Sequence, residues 1–238
     1  MTDGPLPAMP LTEHLRELRT RLIWSVGALL AGMLASVAFA GRVIAGLSAM
    51  CQACLHPCHI QVVHPTEGVV TYFRVALVLG LVVSLPVLLY QLVAFVLPAL
   101  HRHERRYLFL LLPGATVFFA LGLAFGYFVV LPQTICFLAD FLGPSADPNW
   151  TMGNYIAFVT NMLLVIGIAF QTPLVVYLLA KIGIVRPALM ARYRRHAIVV
   201  LAVLAAVLTP TPDPFTMFLV LVPMVLLYEL GLLLARFA

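Results

Sequence analysis

Long apolar segments separated by short polar ones dominate the pattern of this chain. Six of them are candidate membrane spans, at about 22–40, 75–96, 107–130, 156–180, 197–208 and 215–234. A helix needs roughly 20 apolar residues to cross about 30 Å of hydrocarbon, and continuous runs of this kind favour helices over barrel strands. The pattern therefore predicts an all-α integral membrane protein, with residues 1–238 forming one polytopic membrane domain.

The last two segments differ from the others. The fifth has about 12 purely apolar residues, or roughly 18 Å of helix, and the sixth is interrupted by Pro223 and by Tyr228-Glu229. Further prolines lie in or at the ends of the spans: Pro86, Pro98, Pro113, Pro132 and Pro173. Because proline kinks a helix, we expect a concave, glove-like bundle of six kinked helices in which helices five and six are short.

Composition agrees with a membrane protein. Hydrophobic residues make up 63% of the chain and charged residues 10%, and the mean hydropathy is +1.07, which excludes an ordinary soluble domain. Few titratable groups lie within the apolar runs, so we predict neither enzymatic activity nor a cofactor. The net charge of +5 follows the membrane topology, so it is not taken as a sign of nucleic-acid binding.

Lysine and arginine set the predicted orientation. Of the 14 basic residues, 12 fall on the side of the termini, and Arg42 and Arg74 fall on the other side. The excess of positive charge marks the cytoplasmic face, so both termini are predicted to be cytoplasmic. A cleavable signal peptide is the alternative for the N-terminus, but the first apolar run of about 19 residues exceeds the 7–15 residues of a signal core.

Two clusters place a glutamate among arginines on the predicted cytoplasmic side. Glu17 lies in the segment LTEHLRELRTRL, and Glu104 lies in HRHERRYL. A carboxylate pairs with an arginine fork through two parallel hydrogen bonds, which a lysine ammonium does not reproduce. Two such carboxylates can therefore select paired arginines on a basic peptide. The alternative is that Glu17 and Arg21 form an ordinary i,i+4 surface pair, and that HERR is a solvated turn.

Six segments in order resemble one family. They are HLRELRTRL (14–22), QLVAFVLPALHRHERR (91–106), FGYFVVLP (125–132), FQTPLVVYLL (170–179), LTPTPDPF (208–215) and LYELG (227–231). From about residue 10 to its end, the chain resembles TatC, the core of the twin-arginine protein translocase. The resemblance implies a receptor for twin-arginine signal peptides on folded cargo, energised by the protonmotive force. It also implies the bacterial cytoplasmic (inner) membrane, TatA-like and TatB-like single-span partners, and association with further copies of the chain.

The resemblance assigns roles to individual positions of this sequence. The implied signal-peptide site consists of Glu17, Arg19, Phe95, Pro98, Glu104 and Arg105. Further positions that match the family pattern are Tyr127, Pro132, Pro210, Asp213 and Glu229.

A polar residue interrupts the fourth apolar run, where Gln171 is followed by Thr172 and Pro173. A buried amide in hydrocarbon seeks a partner, and such interhelical bonds contribute roughly 0.6–2 kcal/mol. The family usually has glutamate here, and glutamine cannot titrate, so the position is expected to act by hydrogen bonding. We expect these three residues to contact a partner's transmembrane helix. The alternative is a hydrogen bond within the same subunit.

The first loop on the other side reads CQACLHPCHIQVVH and contains Cys51, Cys54 and Cys58. Two of these cysteines can form a disulfide and leave one over, all three can be unpaired thiols, or cysteine and histidine can hold zinc or haem. The spacings match no standard zinc or haem motif well, so no metal site is predicted. Cys136 is interpreted as a small buried apolar residue.

Two other classes of membrane protein fit the sequence less well. A small-solute carrier is expected to show paired repeats and acidic groups near the membrane midplane, and no acid lies mid-span in the first five spans. A haem-bearing redox enzyme needs intramembrane histidines. All seven histidines lie outside the apolar runs, which disfavours that class.

Overall fold

The computed structural model describes residues 11–54, 58, 60–96, 105–141, 143, 149–181, 183, 187–209 and 213–235. Within these residues the chain is almost entirely helical. The helices are α1 (Leu11–Cys54), α2 (Glu67–Val96), α3 (Arg105–Phe125), α4 (Leu131–Asp140), α5 (Met152–Ala169), α6 (Thr172–Lys181), α7 (Pro187–Arg192), α8 (Arg194–Leu208) and α9 (Pro214–Ala235). A π-helical segment, Gly126–Val130, joins α3 to α4, and two short strands, β1 (Ile60–Gln61) and β2 (Trp150–Thr151), pair in parallel.

Five stretches of helix in the described residues are long and apolar enough to cross a membrane. They are Thr12–Gln52, Glu67–Phe95, Leu112–Asp140, Met152–Lys181 and Pro214–Ala235. The remaining predicted span corresponds to α8, whose 15 residues make it short, as the apolar run of about 12 residues indicated. The protein is therefore the predicted bundle of membrane-spanning helices.

Several helices are longer than the apolar runs alone predicted. α1 has 44 residues, or about 66 Å of helix, so it extends beyond the hydrocarbon at both ends. The third span does not stop near residue 130 but continues to Asp140, and α2 begins at Glu67 rather than near Val75. Hydrogen bonding continues the helix into interfacial residues that are too polar to be counted as part of an apolar run.

Several prolines are accommodated inside helices, among them Pro86 in α2 and Pro113 in α3. α9 contains Pro223 without a break, so the interruption predicted for the last span is absent. In the third span, Pro132 follows the π-helical segment, in which the N–H of Leu131 donates to the carbonyl of Gly126. Because proline has no N–H to offer, the wider turn before it lets the helix continue without a severe clash.

α1 and α2 pack against each other in antiparallel orientation through small residues. Gly32, Ser36 and Ala40 on α1 are buried, as are Ala76, Gly80 and Ser84 on α2, and each set repeats every four residues. Small residues at this spacing form one helix face and let two backbones approach closely in a membrane. A Cβ built on Gly32 would come within 2.7 Å of the Gly80 carbonyl oxygen. The Tyr72 hydroxyl adds a hydrogen bond to the Val37 carbonyl at 2.6 Å.

A set of cross-links and short strands stabilises the end of the bundle where α1 stops, and it is called the cysteine cap here. It consists of Cys51, Cys54, Cys58, Cys136, Glu67, β1 and β2. The Glu67 carboxylate accepts hydrogen bonds from the backbone N–H groups of Val63, His64 and Gly153. It therefore ties the loop before α2 to the start of α5. The buried hydroxyl of Tyr155 donates to the Leu47 carbonyl at 2.9 Å, joining α5 to α1.

The cysteines correct the sequence-based prediction. Cys51 pairs with Cys58, and Cys54 pairs with Cys136, 82 residues away in the chain. Of the alternatives for the first three cysteines, the structure contains a disulfide between two of them, and the third, Cys54, is not left over but pairs with Cys136. The interpretation of Cys136 as a simple apolar residue is therefore wrong. No sequence spacing indicates this second bond, because the folding of the third span brings Cys136 beside the end of α1.

The α1–α2 contact predicts a stability difference between two glycines of one helix. We expect Gly32→Val to lower the free energy of unfolding by about 1–3 kcal/mol, because the added side chain meets backbone at Gly80 and the helices must separate. Gly27 is the matched control: it is exposed, and a Cβ built there meets nothing within 4 Å. Thermal unfolding of the purified variants in detergent measures the difference. Equal melting temperatures for Gly32→Val and Gly27→Val would contradict the close packing.

Candidate functional site

An open groove of about 650 Å³ lies at the end of the bundle where α1 begins. It is called the arginine groove here. Its lining residues are Glu13, Arg16, Glu17, Thr20, Arg21, Trp24, Tyr90 and Gln91. The first six lie on α1, where a helical repeat brings positions 13, 16, 17, 20, 21 and 24 to one face. The other two come from the last turns of α2, which the antiparallel packing of α1 and α2 places alongside.

One arginine fork organises this groove. The Arg21 Nε and Nη2 atoms donate to Glu17 Oε1 at 3.1 and 2.8 Å, and Nη1 donates to Gln91 Oε1 at 3.2 Å. The Glu17–Arg21 part is the i,i+4 pair that the sequence offered as the alternative interpretation. Gln91 adds a link to α2 that a surface pair on an isolated helix does not have.

Burial of this pair is intermediate. The Glu17 side chain is 22% exposed and that of Arg21 is 27% exposed, so water still reaches both groups. Both hydrogen bonds to the carboxylate converge on Oε1. The groove thus presents a carboxylate that already binds a guanidinium, within a space open to a second basic group.

The other predicted signal-peptide residues are partly described. Phe95 lies at the same end of the bundle, where its ring stacks on the His14 ring at a centroid distance of 4.5 Å. Arg19 is exposed on α1 and is not among the residues that line the groove. Arg105 is the first residue of α3, and Pro98, Glu104 and Pro210 lie outside the described residues.

Gln171 lies at the break between α5 and α6. It is 9% exposed, and its amide nitrogen donates to the Ala115 carbonyl of α3 at 3.0 Å. Its amide oxygen is buried and has no hydrogen-bond partner within the described part of the chain. The structure therefore contains the intrasubunit bond that was the alternative for this residue, and leaves one acceptor of the amide unused.

The two residues after Gln171 shape the contact with α9. The Thr172 hydroxyl donates to the Ala169 carbonyl at 2.6 Å. Pro173 is buried, and its Cα lies 2.9 Å from a Cβ built on Gly231. α6 and α9 thus approach closely where the fourth span bends.

Glu229 forms an ion pair that the sequence analysis missed. Its Oε2 atom lies 2.8 Å from Arg194 Nη2, and both side chains are partly exposed. The neighbouring Tyr228 hydroxyl donates to the Met190 carbonyl at 3.1 Å. Together the two contacts hold α7 and the start of α8 against α9. The sequence has three basic residues near the start of this short span, Arg192, Arg194 and Arg195, and it does not indicate which of them pairs with Glu229.

The remaining family positions have structural contacts. Asp213 precedes α9 and accepts a hydrogen bond from the Thr216 N–H at 2.6 Å, as an N-cap residue does. Tyr127 lies in the π-helical segment and borders an apolar groove of about 420 Å³ between α1, α2, α5 and the third span. Among the described residues, no cluster of three or more metal-ligating side chains is present.

Comparison with known proteins gives one consistent family. The sequence profile described as "Sec-independent protein translocase protein (TatC)" matches residues 13–223. A TatC protein of Aquifex aeolicus is 38% identical over 97% of this chain and 96% of its own length. One of Deinococcus radiodurans is 37% identical over 97% of this chain and 87% of its own length.

Solved structures agree with the sequence relatives. The chain superimposes with a TM-score of 0.81 on a crystal structure described as the twin-arginine translocase receptor TatC, at 37% identity. That match covers 94% of this chain and 98% of the other. A second crystal structure, of the receptor in the detergent DDM, has a TM-score of 0.83 at the same identity, over 93% of this chain and 99% of the other.

Proposed function

The chain belongs to the TatC family of Sec-independent protein translocase proteins, and from this premise we propose that its arginine groove binds twin-arginine signal peptides. It is a multi-pass protein of the bacterial inner membrane and a component of the Tat translocase, in a family of transport proteins rather than enzymes. Its role is that of the signal-peptide receptor and core subunit that exports folded proteins at the expense of the protonmotive force.

The observation that carries this proposal is the fork of Arg21 on Glu17. The groove already holds one guanidinium on a carboxylate, at distances of 2.8 and 3.1 Å. A guanidinium from an incoming peptide fits the same carboxylate. It donates two parallel hydrogen bonds to a carboxylate, which a lysine ammonium does not reproduce. Gln91 accepts from Arg21 at the same time, so a displaced Arg21 keeps a hydrogen bond when a peptide takes its place on Glu17.

Glu104 is proposed as the second carboxylate of the receptor. α2 ends and α3 begins at the end of the bundle that carries the arginine groove, with Arg105 as the first residue of α3. The two helix ends that flank Glu104 in the sequence therefore lie at this end of the bundle. Two carboxylates on two neighbouring elements suit the two consecutive arginines of the peptide, with Arg19, Phe95, Pro98 and Arg105 flanking them.

The arginine groove is proposed to face the cytoplasm, together with both termini. The supporting argument is the distribution of the basic residues, of which 12 fall on that side. The disulfides at the opposite end of the bundle support the same orientation, since cytosolic thiols are kept reduced. A signal peptide that arrives from the cytoplasm then meets the carboxylates before it meets the membrane.

TatA-like and TatB-like single-span proteins are proposed as partners, and Gln171 with Thr172 and Pro173 as a contact for one of their helices. The unused amide oxygen of Gln171 is an acceptor inside the helical bundle. Because that oxygen is buried, a partner's donor reaches it when the helices around the break between α5 and α6 separate slightly. Further copies of the chain are proposed to assemble with these partners in the receptor complex.

The receptor proposal predicts discrimination between arginine and lysine. We expect the full-length protein in nanodiscs to bind a twin-arginine signal peptide at least about tenfold more tightly than its twin-lysine version, or about 1.4 kcal/mol. Glu17→Gln removes the charge that pairs with the fork and is expected to abolish most of this difference. Asp140→Asn is the control, since Asp140 is an exposed acid at the opposite end of the bundle. Equal affinities of wild-type protein for both peptides would overturn the proposal.

Competition by Arg21 makes a second prediction. Arg21→Gln leaves Glu17 without its intramolecular partner, so we expect twin-arginine peptide to bind about threefold to tenfold more tightly in isothermal titration. Arg16→Gln is the matched control, because Arg16 lines the same groove but does not bond Glu17. This substitution removes the same charge and leaves the Glu17–Arg21 pair intact. An equal gain in both variants indicates a net-charge effect, and weaker binding by Arg21→Gln contradicts competition.

Gln171 supplies a third prediction. Gln171→Leu removes both the bond to Ala115 and an unsatisfied buried oxygen, so we expect the free energy of unfolding to change by no more than about 1 kcal/mol. Site-specific crosslinking to single-span partner helices is expected to fall several-fold. Gln133→Leu serves as the control, since Gln133 is exposed on α4. Undiminished crosslinking with the same melting temperature would show that Gln171 acts within the subunit alone.

A further inference from the structure

Four cysteines form two disulfides at one end of the bundle. Cys51–Cys58 closes a loop of 7 residues next to the end of α1, and Cys54–Cys136 joins α1 to α4 across 82 residues. These are all four cysteines of the chain, so none of them remains as a thiol. Neither the receptor site nor the proposed partner contact uses this end of the molecule.

The two bonds differ in how they are placed. Cys51 is 0% exposed and belongs to the main apolar core, which shields its bond with Cys58. Cys136 is exposed on the surface of α4, and Cys54 is partly buried. A protein that exchanges thiols with the folded chain therefore reaches the Cys54–Cys136 bond more readily than the other.

The end of α4 borders a half-open pocket. A cavity of about 310 Å³ lies between α4, β2 and α5, with Ile135, Leu138, Trp150 and Tyr155 among its lining residues. Side chains that border a cavity lose contacts on that side. The covalent link from Cys54 to Cys136 anchors the same stretch of α4 to α1.

We propose that the cysteine cap is an oxidative modification site, completed by a dithiol–disulfide oxidase on the non-cytoplasmic side, with Cys54–Cys136 as its exchangeable bond. The Cys54 thiolate attacks the disulfide of the oxidase and forms a mixed disulfide, releasing one oxidase thiolate. The Cys136 thiolate then attacks the Cys54 sulfur, closes the bond and releases the second oxidase thiolate. Each bond formed in the chain transfers two electrons to the oxidase, which leaves as a dithiol after taking up two protons.

Thiol counting on the full-length protein tests the existence of the bonds. Protein from cells with an intact oxidase is expected to give no adduct with a maleimide polymer in denaturant, and four adducts after complete reduction. Graded reduction of folded protein in nanodiscs is expected to expose Cys54 and Cys136 first, as identified by mass spectrometry of the labelled peptides. Four reactive thiols before reduction, or peptides that link Cys51 to Cys54, would overturn the proposal.

Trapping tests the partner. Cys136→Ser leaves the Cys54 thiolate able to form the mixed disulfide but unable to resolve it, so a reducible adduct of higher mass is expected. Cys58→Ser is the matched control, because it leaves the buried Cys51, and it is expected to trap several-fold less. The expected adduct must disappear in cells that lack the oxidase. Equal trapping by both variants, or an adduct that persists without the oxidase, would count against a specific exchange at Cys54.

Unfolding separates this inference from the receptor proposal. The double variant Cys54→Ala with Cys136→Ala is expected to melt about 5 °C lower than the wild-type protein, and Cys51→Ala with Cys58→Ala less, because a longer closed loop restricts the unfolded chain more. Binding of twin-arginine peptide at the opposite end is expected to stay within twofold. An unchanged melting temperature in the first double variant would show that the Cys54–Cys136 bond does not stabilise α4.

Discussion

The close antiparallel packing of α1 against α2 is the contact on which the rest of this protein depends. Gly32 and Gly80 let the two backbones touch in the middle of the membrane, where a larger side chain would hold them apart. This approach brings Gln91 of α2 beside the Arg21–Glu17 pair of α1 at one end. At the other end the same two helices carry the cysteine cap. The arginine groove and the cysteine cap are thus at the two ends of one helical pair.

Polar contacts in this bundle lie mainly where helices end or bend. Glu67 accepts from backbone N–H groups of the loop before α2 and of the first turn of α5, and Asp213 caps the last helix. Gln171 lies at the break of the fourth span and bonds the third. Because a backbone group without a partner is costly in hydrocarbon, each interruption of a helix needs such a side chain. These polar residues therefore make contacts within the subunit whether or not a partner is bound.

The proposed receptor mechanism follows from competition at one carboxylate. An arginine of the chain holds Glu17 when no peptide is bound, which keeps a partly buried acid paired. To replace Arg21, a signal peptide must bind Glu17 more tightly with one arginine and bind the proposed second carboxylate with the other. Such exchange keeps Glu17 paired, while Arg21 stays on Gln91. Selectivity then depends on geometry, which separates arginine from lysine more sharply than charge does.

The length of the apolar runs by itself determined that this is a helical membrane protein, because helices satisfy their own backbone hydrogen bonds over runs of that length. The motifs around Glu17, Gln171 and Glu229 likewise identified the family from the sequence. Helix ends were predicted less well, since α1 and the third span continue as helix into polar residues. The partners of side chains were decided by tertiary structure: Arg21 with Gln91, Arg194 with Glu229, and Cys54 with Cys136. These pairs lie up to 82 residues apart, and only the packing of the spans brings them within reach.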